Sequence, residues 1–453
     1  MSTSKLPARE AILVEGGTVV TCDSDDTVIE GDVLIDDGRI VAVGKKAREA
    51  RKKGSLVRVL DASGCAVLPG FVQAHVHLCQ VLFRGMADDL PLLDWLRERI
   101  WPFEAAHDPA SLGASAELGL LEMSLGGTTT ILDMGTVHHH DAVFDAAERS
   151  GIRVVSGKAM MDDGVGVPKG LRETTRASLR ESDALLARWH GKGEGRLRYA
   201  YAPRFILSCT EALFRGVVER SADNGALMHS HAAEHPGERA AVRKLLGKDD
   251  VDVLASYGFC GERAVLAHGV QLTVAQAKRA AKDGTRYVHC PSANLKLGSG
   301  IAKVHDLLET GVVLGLGADG APCNNNLDAL AELRHAALLA KVTSGTTSLP
   351  ARRALALATR GGAKALGMGH EIGALVPGMR ADLQVVRIDG PHVEPGGDVF
   401  SRVVYAATAR DVTHVVCDGR LVVRHGESTV FDREAVLATA RVQAKKARAR
   451  SGV

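Results

Sequence analysis

Aromatic side chains make up only 4% of this 453-residue chain, and Lys plus Arg (56) nearly cancel Asp plus Glu (54), for a formal net charge of +2. The charge balance offers no field to a polyanion or an anionic membrane, and the few aromatics offer little for stacking on nucleic-acid bases. None of the eight cysteines (Cys22, Cys65, Cys79, Cys209, Cys260, Cys290, Cys323, Cys417) stands in a C-x-x-C pair. That spacing excludes a zinc knuckle or a dithiol redox motif and leaves reduced, buried thiols. No apolar run approaches bilayer length, and residues 1–16 lack a basic stretch followed by an apolar one, so neither a transmembrane segment nor a secretory leader is expected. These absences predict a cytoplasmic protein that uses no nucleic acid and no membrane and acts on a small molecule.

What the chain does have is 45% hydrophobic residues, enough for a large core, arranged in two patterns. Residues 11–45 read as short alternating strands, ILVEGGTVVTCD and GDVLIDDGRIVAVG, with Asp36-Asp37-Gly38 as a hairpin turn. The pattern returns in ADLQVVRID (381–389) and THVVCDGRLVVRHG (413–426), with Asp418-Gly419 as the turn. We therefore expect a small composite β-sandwich domain from 1–65 and 371–430. The stretch 66–370 alternates β-branched apolar runs with amphipathic segments such as 109–127 and 327–341. Its eight strands are expected at VLPGFVQAHVH, TTTILDMG, IRVVSGKA, RLRYAYAP, LMHSHA, AVLAHG, RYVHC and VVLGLGAD. Eight alternating units predict an α/β chain whose main domain is a (β/α)8 TIM barrel. Residues 431–453, ending in the basic RVQAKKARARSGV, are expected as a C-terminal helix or tail with a solvated or frayed end.

In a parallel barrel the functional side chains gather where strands end. His75 and His77 alternate by two at the end of the first strand, so both imidazoles face one side and can hold one ion. Alone, an H-x-H pair says little. His231 in LMHSHAAE, His268 in AVLAHG and Asp319 in LGLGADG add three more ligand or acid–base types, each directly after an apolar run. Imidazoles with one carboxylate suit zinc, with Fe2+ as a competitor. Glu234, three residues past His231, is placed for general acid–base work.

The strings LPGFVQAHVH, HAAE, AHG, HCPSANLKLGSG, GADGAPCNNNLD and EIGALVPGMRADL together resemble the amidohydrolase superfamily, in the branch of aminopurine, pterin and triazine hydrolases. RGMADDLPLLDWLRERIWPFE and GADGAPCNNNLDALAELRHAALLAK look most like deaminases of 5'-deoxyadenosine, methylthioadenosine and S-adenosylhomocysteine. The resemblance implies one metal ion per chain on His75, His77, His231 and Asp319. It implies further that Glu234 shuttles protons, that His268 stands beside the attacking water, that Asp319 accepts a proton, and that the chain is a homo-oligomer. The implied reaction converts an aminated purine ring carbon to a carbonyl with release of ammonia.

For the substrate pocket the motifs mix. Gln80, Arg204 and Phe205 are similar to positions that hold the base in guanine deaminases, although an Arg paired to a carboxylate is an equal reading of Arg204. Asp94 stands where adenosine-type deaminases usually carry a Glu for the ribose hydroxyls. Of His138, His139 and His140, which cannot all point inward, His138 is taken as a substrate contact. Trp95, Trp101 and Phe103 are expected to pack the core or the barrel mouth. Lys158 raises the alternative of a carboxylated lysine between two metals, and His289 that of a supporting partner. Ser292, Asn294 and Asn324 to Asn326 are expected to shape loops and cap the following helix. The alternatives to an adenosine-type deaminase are an oxopurine deaminase, an s-triazine hydrolase and, from another class, a barrel that only binds.

Overall fold

The computed structural model describes residues 6–50 and 56–453. Eight strands form a closed parallel barrel: β1 (Phe71–Val76), β2 (Thr128–Met134), β3 (Arg153–Gly157), β4 (Leu197–Pro203), β5 (Leu227–Ala232), β6 (Ala264–His268), β7 (Arg286–His289) and β8 (Leu314–Leu316). Each pairs in parallel with the next, and Leu316 of β8 pairs with Gln73 of β1 to close the ring. Helices lie between the strands, as right-handed β-helix-β crossovers require. All eight strands fall where the sequence places them. The first reading merges two strands, however: the chain breaks at Gly70, and Cys65–Pro69 pairs with Ile12–Val20 and Leu383–Arg387 instead of entering the barrel.

Those three belong to a second, mainly antiparallel sheet drawn from both ends of the chain, running from Glu427–Ser428 at one edge to Arg39–Val43 at the other. Its strands share one apolar core that includes Ile12, Val33, Val67, Leu383, Val416 and Leu421. Both expected hairpin turns form as two-residue loops with positive φ: Asp37 and Gly38 at 45° and 74°, Asp418 and Gly419 at 53° and 73°. This is the backbone of a type I′ turn, which suits the twist of the flanking strands. The two turns meet through Ala381, whose N–H donates to Gly38 O and whose carbonyl accepts from Gly419 N. Beneath them the buried Arg153 guanidinium at the start of β3 reaches Asp382 and Asp418 at 3.3 and 3.5 Å, tying sheet to barrel.

The basic C-terminus keeps its Lys and Arg side chains exposed, as expected of a solvated helix end, but the helix is docked on one face. Residues Arg433–Ser451 form a helix capped by Asp432, with Val436, Ala440 and Ala447 buried. Ala440 and Ala447 pack on Leu82, Phe83 and Phe103, because small side chains on one face allow close approach. Arg450 donates to Ala106 O at 2.7 Å and pairs with Asp108 at 3.1 Å. Asp108 in turn caps Pro109–Leu125 through a reciprocal box with Ser111. Asp108→Ala removes that cap and is expected to lower stability by about 1 kcal/mol, read by chemical denaturation. The exposed ion pair with Arg450 adds little to that figure.

The cap of Ala329–Ser344 is Asp328, which accepts from Leu330 and Ala331, rather than one of the preceding asparagines. The eight cysteines are free, and all but Cys260 are buried. No helix among the described residues is long and apolar enough to cross a membrane.

Candidate active site

The ligand-type residues gather at the C-terminal ends of β1, β5, β6 and β8. Three residues at these ends have left-handed backbones: Ala233 (φ 53°), His268 (φ 80°) and Asp319 (φ 63°). Such non-glycine conformations cost of order 1–3 kcal/mol each and persist only where surrounding bonds hold them. The N–H of Ala233 donates to the buried Asp250, and its carbonyl accepts from Gln271 at 2.8 Å. The N–H of Asp319 donates to His75 O at 3.1 Å. Gly317 permits that last contact: a Cβ there would lie 2.5 Å from His75 O, so any side chain would push Asp319 away from β1.

The ring tautomers follow from each imidazole's partners. His77 Nδ1 lies 2.8 Å from Met134 O and His231 Nδ1 2.8 Å from Arg204 O; a carbonyl only accepts, so both rings carry their proton on Nδ1. His229 Nδ1 meets Val265 O at 2.8 Å, which leaves its Nε2 to accept from His75 Nδ1 at 2.8 Å. All three ligand candidates therefore present a bare Nε2 lone pair. Burial pushes their pKa values well below the ordinary histidine range, so the rings are neutral.

These lone pairs converge. His77 Nε2 and His231 Nε2 are 3.1 Å apart, and Asp319 Oδ1 is 3.3 Å from both His75 Nε2 and His77 Nε2. His75 Nε2 is buried without a hydrogen-bond partner. Acceptors this close with no proton between them repel unless a cation joins them. The separations match the roughly 3.3 Å expected between ligands of a tetrahedral ion with bonds of about 2.0–2.1 Å. The residues fit one divalent ion, with His229 orienting His75 as an outer partner.

Beside this centre lies a cleft lined by Leu92, Trp95, Arg204, Phe205, Glu234 and His268 among others. Glu234 is buried, its Oε1 has no partner and its Oε2 lies 3.4 Å from His268 Nε2. Burial, reinforced by the Asp319 carboxylate, holds the Glu234 carboxyl well above its ordinary pKa. Arg204 forks onto buried Glu104, with Nη1–Oε2 at 2.5 Å and Nη2–Oε1 at 3.0 Å.

Other predicted positions fall elsewhere. Gln80 sits behind the cleft wall, donating to Glu104 at 2.8 Å. Asp94 is exposed on Leu92–Trp95 and is not among the lining side chains, nor is His138. Of the three adjacent histidines it is His140 that turns inward, to Ser156 Oγ at 2.9 Å. Lys158 is buried with its ammonium 2.6 Å from Glu173 and 3.2 Å from Glu181, which engages the amine that a bridging carboxylated lysine would need. His229 bonds the ligand candidate His75, while His289 is buried with its Nδ1 unpartnered. Sequence reasoning passed over His229 and Glu104, although HSH repeats the period-two spacing of HVH.

Fold and candidate site together describe a (β/α)8 barrel with histidine and aspartate side chains converging at its C-terminal mouth. The Amidohydrolase family model matches residues 66–422, and the chain belongs to the amidohydrolase family, whose members are metal-dependent. It is 37% identical over 439 residues, 96% of this chain and 99% of the other, to a protein of Syntrophomonas wolfei named 5-methylthioadenosine/S-adenosylhomocysteine deaminase. A Methanosarcina acetivorans protein named 5'-deoxyadenosine deaminase is likewise 37% identical, over 97% of this chain and 99% of its own. Among solved structures, an adenosine deaminase from Xanthomonas campestris with bound zinc superposes with a TM-score of 0.90 at 31% identity, covering 98% of this chain and all of the other.

Proposed function

We propose that this chain is a hydrolytic deaminase of an adenosine-type purine: 5'-deoxyadenosine, methylthioadenosine, S-adenosylhomocysteine or adenosine. The reading is carried by three imidazole Nε2 lone pairs converging beside Glu234, whose buried carboxyl has a raised pKa and an unpartnered Oε1, and the names of the full-length relatives support the substrate class. His75, His77, His231 and Asp319 would hold one ion, Zn2+ or alternatively Fe2+. When bound, that ion supplies Lewis acidity and makes hydroxide available near neutral pH.

Glu234 delivers its proton to the ring nitrogen beside the amino-bearing carbon, which makes that carbon electrophilic. Asp319 accepts the proton lost by the attacking water. His268 donates from Nε2 to the oxygen as it gains charge at the tetrahedral centre. A returned proton on the amino group lets ammonia leave and the carbonyl form, so that water and amine become carbonyl and ammonia. Arg204 and Phe205 wall the base. The fork to Glu104 uses two of the five N–H donors of Arg204, and the buried indole N–H of Trp95 has no partner; both can donate to a base. The oxopurine alternative relies on Gln80 and Arg204 together, and Gln80 is engaged by Glu104.

Ammonia release should be measured from the four nucleosides, guanine and an s-triazine, with metal content determined on the same sample. We expect turnover of the nucleosides, little release from the other two and about one ion per chain. Guanine as the preferred substrate would overturn the substrate assignment, and full activity without metal would overturn the mechanism.

A further inference from the structure

Among the buried imidazoles of the site, His268 is reversed. His75, His77, His229 and His231 each give up an Nδ1 proton to a carbonyl or to another ring. His268 Nδ1 instead faces the Asn294 side-chain amide, whose Nδ2 donates to it at 3.0 Å. An NH2 group cannot accept, so Nδ1 must be the bare nitrogen and the proton of the neutral ring must sit on Nε2. That nitrogen is buried, has no hydrogen-bond partner and lies 3.4 Å from Glu234 Oε2.

Asn294 is buried on the short helix Pro291–Lys296, where its N–H donates to Cys290 O and its carbonyl accepts from Ser299, which fixes its backbone. Its side-chain Oδ1 is buried without a partner, and the orientation with Nδ2 on the ring is the one that leaves the His268 proton on Nε2, facing Glu234 Oε2. The helix is fastened to the layer beyond β8: Ser292 N donates to Glu332 Oε2 at 3.1 Å, and Asn324 Nδ2 donates to Glu332 Oε1 at 2.9 Å. The same Asn324 nitrogen donates to Ala318 O at 2.8 Å, one residue before Asp319. The segment that carries Asn294 is therefore tied to the segment that carries the carboxylate ligand.

We propose that Asn294 is a positioning residue that sets the tautomer of His268, keeping its Nε2 as a hydrogen-bond donor and off the metal. A neutral imidazole cannot ligate through a protonated nitrogen, so one asparagine divides five barrel-mouth groups into four ligands and one donor. The catalytic use of that donor rests on the deaminase reading above; the tautomer does not.

The test is 15N NMR of histidine-labelled, zinc-loaded protein, with the His268 signals assigned by their loss in His268→Gln. In the wild type His268 is expected to show a protonated Nε2 and a bare Nδ1, opposite to His77 and His231. Asn294→Leu should abolish that pattern. It should also lower kcat about 10²-fold, the scale of one lost oxyanion donor, with KM within about twofold and one ion per chain retained. Asn294→Ser, whose hydroxyl can still donate, should restore part of the pattern and of kcat. It also serves as the test if the leucine variant does not fold. A wild-type His268 protonated on Nδ1, or an Nε2–H signature unchanged in both variants, overturns the proposal even if ammonia is released. A correct tautomer with no ammonia from any nucleoside leaves this inference standing and overturns only the deaminase reading.

Discussion

Glu234→Gln is expected to reduce kcat/KM by about 10²–10⁴-fold, the range for a lost general acid–base group, while fold and metal content stay unchanged. The substitution keeps shape and hydrogen-bonding atoms but removes the transferable proton. The carboxyl has few structural ties, since Oε1 has no partner and Oε2 meets His268 Nε2 at 3.4 Å. Stability should hold or rise. Because burial raises the folded-state pKa of Glu234, the folded chain holds this proton to a higher pH than the unfolded chain does. Folding stability from this group is therefore lost as pH rises from the unfolded value toward the raised one. A glutamine is neutral in both states and removes that dependence. Ammonia release, metal analysis and chemical denaturation on the same preparation test this. Activity within tenfold of wild type would remove Glu234 from the proton path, and loss of the ion would make it a ligand instead.

What could be read in the chain follows from how local each signal is. His75 and His77, or Asp37-Gly38 in its hairpin, carry their geometry in two or three neighbouring residues, because strand alternation and turn chemistry are short-range. The barrel was legible because eight apolar runs repeat with helices between them. Gly70 was not: LPGFV reads as one strand, and only pairing with Leu383–Arg387, more than 300 positions away in sequence, pulls Cys65–Pro69 into the other sheet. His138 and His140 are equivalent by composition; what turns His140 inward is Ser156 on β3, itself bonded to Asp133 on β2 at 2.5 Å. The docking of the C-terminal helix was not legible, because its exposed charges dominate its composition while its buried face is only Val436, Ala440 and Ala447, a weak hydrophobic signal. Glu104 had no local signal. It lies in the helical segment between β1 and β2 and gains its role from Arg204, one hundred positions later.

That pair carries the second large effect. Glu104→Leu leaves the Arg204 guanidinium buried with neither of its carboxylate oxygens, and is expected to lower stability by about 3–5 kcal/mol, the cost of stranding one partner of a buried pair. The loss should reach the metal centre. The backbone carbonyl of Arg204 accepts from His231 Nδ1 at 2.8 Å, from His231 N at 3.1 Å and from Ser230 Oγ at 3.2 Å, so an Arg204 that swings toward water drags the acceptor that fixes a ligand's tautomer. Glu104→Leu should therefore weaken metal retention as well as stability. Combining it with Arg204→Met removes the stranded charge and refills the volume, and should recover most of the stability and the ion. It should leave KM raised, because the wall of the cleft has lost its N–H donors. Denaturation midpoints and metal content of the single and double variants decide it: a single variant within about 1 kcal/mol of wild type, or a double variant no more stable than the single, would mean that the fork is dispensable and that His231 is held by β5 alone.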